Sequence, residues 1–97
     1  MIVSTHPHAE EELTSGAVFC AKRVNPALGR DFIAEFERSV APLRQYPQIG
    51  LPWRGALRRL PIRRFPYSIV YYQSGDVLRI VAMAHQERKP GYWRGRV

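Results

Sequence analysis

Between positions 28 and 43 the apolar residues Leu28, Phe32, Phe36, Val40 and Leu43 step by 4, 4, 4 and 3. That spacing marks one face of an α-helix, because 3.6 residues per turn bring such positions into line. Arg30, Glu37, Arg38 and Arg44 lie largely off the stripe. A helix with one apolar face is stable in water only when another element covers that face. The rest of the chain must therefore supply a partner layer.

A second helix is legible just upstream. Thr5-His6-Pro7 reads as a helix entrance, with Thr5 or His6 as cap and proline in the first turn. Glu10, Glu11 and Glu12 follow where negative charge offsets the positive end of the helix dipole. Ala9, Leu13, Gly16, Ala17, Cys20 and Val24 then recur at spacings of three and four. Asn25-Pro26 ends this helix and starts the next, and so short a connection predicts an antiparallel helical hairpin. Pro42 is expected to weaken the last turn of the second helix, and Pro47 closes it. Met1 to Ser4 is a short β-prone start.

The sheet falls to the second half. Pro47 to Gly55 reads as a loop in which Trp53 packs. Leu57 to Arg64 alternates imperfectly, and Pro61 places it at a sheet edge because proline cannot donate a ladder hydrogen bond. Tyr67 to Gln73 is rich in β-branched and aromatic residues. Ser74-Gly75-Asp76 is a turn, and Val77 to His85 completes a hairpin. On that last strand Leu78, Ile80, Ala82 and Ala84 share a face expected to receive the helices, with Arg79, Val81, Met83 and His85 opposite. A basic tail, Gln86 to Val97, follows. The reading is one α+β domain over residues 1–97, a helical hairpin packed on a small antiparallel sheet in the order β-α-α-β-β-β.

Composition narrows the setting. A 97-residue chain holds one modest core. Cys20 is the only cysteine, so no internal disulfide is available, and on the helix stripe it reads as core. Glu10, Glu11 and Glu12 interrupt any secretory signal. The longest strictly apolar runs, Ala17 to Ala21 and Ile80 to Ala84, are far shorter than the roughly 20 residues a membrane helix needs. A cytoplasmic protein with no membrane association is expected. Residues 1–50 carry five Lys or Arg against six Asp or Glu, whereas residues 51–97 carry ten against two. All of the net +7 charge thus arises in the second half, which points to an anionic partner or, more blandly, to a basic solvated surface.

The element order, with RRFPYSIVYY, the turn SGD and the ending VAMAHQERKPGYW, resembles the RelE/ParE toxin superfamily. The opening HPHAEEEL, the helix LGRDFIAEFERSV and the loop YPQIG extend that resemblance over nearly the whole chain. It implies a toxin of a type II toxin–antitoxin system, neutralised by a cognate antitoxin whose flexible segment wraps it. RelE-like members cut mRNA on the ribosome, and ParE-like members poison DNA gyrase through protein contacts. Nuclease members place an arginine directly after the aromatic residue that opens the middle strand, where this chain has Ser68 after Tyr67. They often carry a basic residue just past the last strand, where Gln86 stands and Arg88 comes two later. The HQERKPGYW ending looks more like ParE-side sequences. The expectation is a ParE-like toxin acting on gyrase. The alternatives are a RelE-like, metal-independent endoribonuclease and an attenuated member that only binds its antitoxin.

Under the ribonuclease alternative, His85, Arg59, Arg63, Arg88 and Tyr92 would carry the chemistry. A histidine near neutrality suits acid–base work, and arginines stabilise a phosphorane. The competing reading of His85 is a strand-end residue bonded to backbone. Arg58, Arg59, Arg63, Arg64, Arg79 and Trp93 are the candidates for target or antitoxin binding, with Arg59 and Arg63 expected on one face. Charge that merely protects an edge strand is the competing account of the arginines. Tyr92 and Trp93, set among Arg88, Lys89, Arg94 and Arg96, bind a nucleic-acid partner by stacking or anchor the tail on its own domain. His6 and His8 have no ligand partners at metal-site spacing, so neither a metal nor a cofactor is expected.

Overall fold

The computed structural model describes residues 1–96. Its elements are β1 (Ile2–Thr5), α1 (Pro7–Arg23), α2 (Pro26–Leu43), β2 (Leu51–Pro52), β3 (Arg58–Pro61), β4 (Tyr67–Ser74) and β5 (Val77–His85). They form a helical hairpin on one five-stranded sheet of order β1-β5-β4-β3-β2. The α+β class and the order of elements agree with the sequence reading.

Both helix starts are built from their own residues. The His6 ring Nδ1 accepts the His8 N–H at 3.1 Å, and Asn25 Oδ1 accepts the Leu28 N–H at 2.8 Å. Pro7 and Pro26 occupy the following position, where an N–H has no helical partner to lose. Pro42 is accommodated in the last turn of α2, which ends one residue later.

The sheet departs from expectation in two ways. It is mixed rather than wholly antiparallel, because β1 pairs parallel with β5 from Ile2↔Val77 to Thr5↔Ile80. Leu51-Pro52, expected in a loop, forms a two-residue edge strand against Arg59 and Arg58. β3 is consequently not the edge. Pro61 is still tolerated, because it ends β3 beyond the reach of β2.

A third departure decides how the sheet is packed. Val70 pairs with Ala82, but its neighbour Tyr71 pairs with Ile80, so Val81 is an extra residue in β5. Such a bulge resets the alternation of side chains. Leu78 and Ile80 face the helices as expected. Past the bulge the faces exchange: Met83 joins the helix-side core with Phe32, Leu43, Ile69 and Tyr71. Ala82 and Ala84, expected under the helices, instead form a second core with Val70, Val81 and Trp93 on the far side.

The helix-side core centres on Phe32. Its ring meets Phe65 and Tyr67 edge-on, with centroids at 5.1 and 4.8 Å. Gly16 makes room for it: a Cβ there would stand 2.7 Å from the Phe32 ring. Tyr71 pins the following loop, its hydroxyl accepting the Gly50 N–H at 2.9 Å and donating to the Pro47 carbonyl at 2.7 Å. The buried Glu35 is paired with Arg38 one turn along α2.

Close approach of the two helices rests on Gly29, where a Cβ would lie 2.7 Å from the Ala17 carbonyl oxygen. Gly29→Ala is therefore expected to destabilise the domain by about 1–3 kcal/mol, despite the higher helix propensity of alanine. The midpoint of urea denaturation measures this, and an unchanged or raised midpoint contradicts it. Partial burial, and then the charges of His8, Arg79 and Arg96, hold the His6 pKa below its ordinary 6.5. The folded state thus takes up this proton less readily than the unfolded chain. The corresponding stability is present above the unfolded value and is lost as pH falls through the lowered folded value. His6→Asn keeps a capping acceptor without the titration. Its stability should fall less steeply than that of the parent below neutrality, and parallel pH profiles would contradict the assignment.

Candidate functional site

The bulge that reverses the end of β5 also carries His85 toward α1, contrary to its expected place on the face away from the helices. His85 pairs with Tyr67 across the sheet, and their rings meet edge-on at 4.9 Å. Its Nδ1 accepts the Glu87 N–H at 3.0 Å, so the neutral ring carries its proton on Nε2. The strand-end hydrogen bond to backbone is thus realised, and Nε2 remains as a donor.

Two clefts adjoin at this ring. One, of about 270 Å³, lies between α1 and the tail and is walled by Glu12, Phe19, Tyr67, His85, Arg88 and Tyr92, among others. The other, of about 90 Å³, lies toward the open side of the sheet, with Arg59, Ser68, His85, Gln86, Arg88 and Trp93 in its wall. His85 and Arg88 belong to both.

Glu12, in the wall of the larger cleft, is held by an ion pair. Arg96 donates to Glu12 Oε1 at 2.8 Å and Oε2 at 3.3 Å, and the two side chains are only 14% and 15% exposed. The same pair serves the backbone of β5, where β1 stops opposite Ile80 and leaves no neighbouring strand. Glu12 accepts the Met83 N–H at 3.2 Å, and Arg96 donates to the Val81 carbonyl at 3.3 Å. An acid and a base thus take the place of a missing strand. Above them Tyr92 lies between Arg88, 3.8 Å from its ring centroid, and Arg96 at 5.0 Å. Burial, followed by the Glu12 carboxylate, raises the Tyr92 pKa well above its ordinary value, so the phenol stays protonated.

Of the five residues expected to carry ribonuclease chemistry, His85, Arg59, Arg88 and Tyr92 are gathered around these clefts, and Arg63 is not. The pairing of Arg59 with Arg63 on one face does not form, because β3 ends at Pro61 and Arg63 lies in the bend that follows. The proposed binding arginines are likewise divided. Arg58 clips the loop through the carbonyls of Gly50, at 2.8 Å, and Gln48, at 3.2 Å. Arg64 turns with φ of 72° and meets Asp31 at 3.4 Å. Arg79 bonds the Ser4 hydroxyl on β1. Trp93, only 4% exposed, packs against the far side of the sheet and edge-on to Trp53, with centroids at 5.2 Å. Of the two tail readings, it follows the anchor.

Glu12 and Arg96 were not singled out from sequence. The available signal was the position of Glu12, three residues after Ala9 and four before Gly16, which sets a carboxylate between two buried positions of α1. Among the described residues no group of three or more acidic, histidine or cysteine side chains is arranged to hold a metal ion. No described helix is long and apolar enough to cross a membrane.

A helical hairpin over a bulged sheet, with a basic tail folded across the second face, defines a small α+β protein of the RelE/ParE toxin type. The family model of the ParE toxin of the type II toxin–antitoxin system parDE matches residues 3–90, and the chain belongs to that family. Its fold is similar to a solved structure described as the chromosomal ParDE toxin–antitoxin system from P. aeruginosa. The TM-score is 0.80 at 20% identity, over 90% of this chain and 97% of that one. Among curated proteins none matches this chain.

Removing one member of a part-buried ion pair strands the other together with the backbone group it served. Glu12→Gln and Arg96→Met are each expected to cost about 1–3 kcal/mol. The double variant should cost less than the sum of the two, as read by urea denaturation. Strictly additive losses would show that the two side chains do not act as a pair.

Proposed function

We propose that this ParE-family toxin poisons DNA gyrase in the cytoplasm through protein contacts, arrests growth, and is held inactive by its cognate antitoxin. In a plasmid setting such a pair would stabilise the plasmid. The observation that carries the gyrase reading is Ser68. It stands where nuclease relatives are expected to place an arginine, and its small side chain borders the lesser cleft without adding charge. Arg58 and Arg64 do not make up the deficit, since both are engaged within the chain.

For the antitoxin, the supporting feature is an apolar groove of about 270 Å³ on the outer side of the helical hairpin, lined by Val18, Ala21, Pro26, Gly29, Arg30 and Ile33. Val18 is exposed in its wall, and Val24 is exposed where α1 ends. Apolar side chains at helical spacing on a solvent face suit an amphipathic helix laid into the groove. Lys22, Arg23 and Arg30 nearby favour an acidic border on that helix.

A second reading, a metal-independent endoribonuclease acting on ribosome-bound mRNA, draws support from the grouping of His85, Arg88 and Tyr92 in one cleft with Arg59 beside it.

Pulse-labelling after induction of this chain alone separates the two. DNA synthesis is expected to fall before protein synthesis, and the reverse order would replace the gyrase reading by the ribonuclease one. Val18→Asp, a change at an exposed residue of the groove wall, is expected to weaken neutralisation by the co-expressed antitoxin about tenfold or more while leaving toxicity in its absence. Full neutralisation of this variant would move the antitoxin away from the groove.

A further inference from the structure

The loop between α2 and β2, with the first residue of β2, carries an apolar cluster that neither core uses. Tyr46, Ile49 and Leu51 lie within six residues of sequence and are 63%, 46% and 60% exposed. The first two flank one turn, in which the Ile49 N–H bonds the Tyr46 carbonyl at 3.1 Å. A loose loop could fold such side chains away from water, but the backbone here is fixed. The Tyr71 hydroxyl holds Gly50 and Pro47, and Arg58 holds the carbonyls of Gln48 and Gly50. A Cβ at Gly50 would stand 2.6 Å from the Tyr71 hydroxyl oxygen, so the loop sits as close to the sheet as backbone permits. Apolar side chains displayed on a prearranged backbone lower the ordering cost of binding, and tyrosine and arginine are prominent among interface anchors.

Charge defines the partner. From Arg38 through Gly75 the sequence has seven arginines and no aspartate or glutamate. Arg44 and Arg54, on either side of the cluster, are exposed and form no ion pair among the described residues. Arg59, opposite Leu51 on β3, is exposed and unpaired in the same sense. The nearest acid in sequence is Glu37, two turns before Arg44 on α2. Pro52 offers no N–H to a further strand, so side chains rather than ladder hydrogen bonds are left to hold a partner.

We infer that the Tyr46, Ile49 and Leu51 surface is where the toxin grips its protein target, through an acidic segment of that target that carries apolar side chains. Such a role rests on a toxin that acts by protein contact, as proposed above. The apolar side chains supply the contact area, and the arginines on either side select the acidic partner and speed its approach. The groove offered to the antitoxin lies toward the Asn25-Pro26 turn, whereas this surface follows the opposite end of α2. Loss of target binding is therefore separable from loss of antitoxin binding.

The test measures the affinity of the full-length chain for purified DNA gyrase without DNA, beside growth arrest on induction. Tyr46→Ser and Leu51→Thr are each expected to weaken gyrase binding about tenfold or more and to relieve growth arrest. Both replace exposed side chains, so antitoxin affinity and the urea midpoint should stay unchanged. Arg44→Glu should lower the gyrase affinity as well, and binding by the parent should weaken as salt is raised. Gyrase binding and arrest that persist in all three variants overturn the assignment and leave the gyrase reading standing. A parent that arrests growth without binding gyrase sinks the gyrase reading, and growth then decides for the surface. Relief of arrest in the variants supports it, and undiminished arrest overturns it. A parent that does neither has no target to grip, which overturns both. Binding to a nucleic-acid duplex alone that the variants abolish, or a dimer that they dissociate, would identify a different occupant and overturn the proposal.

Discussion

One residue too many in β5 determines how both layers of this protein pack. With Val81 inserted between the pairs Tyr71↔Ile80 and Val70↔Ala82, side chains before and after it obey opposite alternations. Leu78, Ile80 and Met83 can then all face the hairpin, although an unbroken strand would separate the third from the other two. Ala82 and Ala84 are released to the far side, where their small size leaves space for an indole. The same reversal brings His85 to the junction of the two clefts.

The second layer depends on this arrangement. Five strands with helices on one side leave the other side of the sheet to water unless the chain covers it. Here the tail does so, with Trp93 inserted against Val70, Ala82 and Ala84 and held beside Trp53. Arg96 then reaches past the sheet to Glu12, joining residues 84 apart in sequence and closing the β5 backbone where β1 gives out. The excess of positive charge in the second half of the chain is accordingly not one uniform patch. Arg58, Arg64, Arg79 and Arg96 have structural partners, while Arg59 and Arg88 border a cavity.

Local chemistry made the helices legible, and pairing between distant segments made the sheet less so. His6-Pro7 and Asn25-Pro26 announce helix starts in three or four residues, and Leu28 to Leu43 repeats often enough to identify a face. The β5 faces were misjudged beyond Ile80, because a bulge is a property of two strands and Val81 carries no mark of it. Leu51-Pro52 is too short to declare itself a strand, and only its pairing with Arg58 and Arg59 makes it one. For the candidate site, residue types were legible but partners were not. Four adjacent-looking arginines fell to different tasks because β3 ends at Pro61 and the chain bends. Glu12 looked like one of three acids placed for the helix dipole, and only the fold distinguishes it from Glu10 and Glu11.

The parallel pairing of β1 with β5 has a consequence in time. Ile2 meets Val77, so the first strand must wait for the last one before its ladder can form. Such long-range closure is slow, and the hairpin alone offers little to hold β1 meanwhile. On the ribosome, the helices can emerge and associate well before β5 leaves the exit tunnel, with the Arg96 contact later still. The complete sheet and the Glu12–Arg96 contact thus form only when translation of the chain is essentially over.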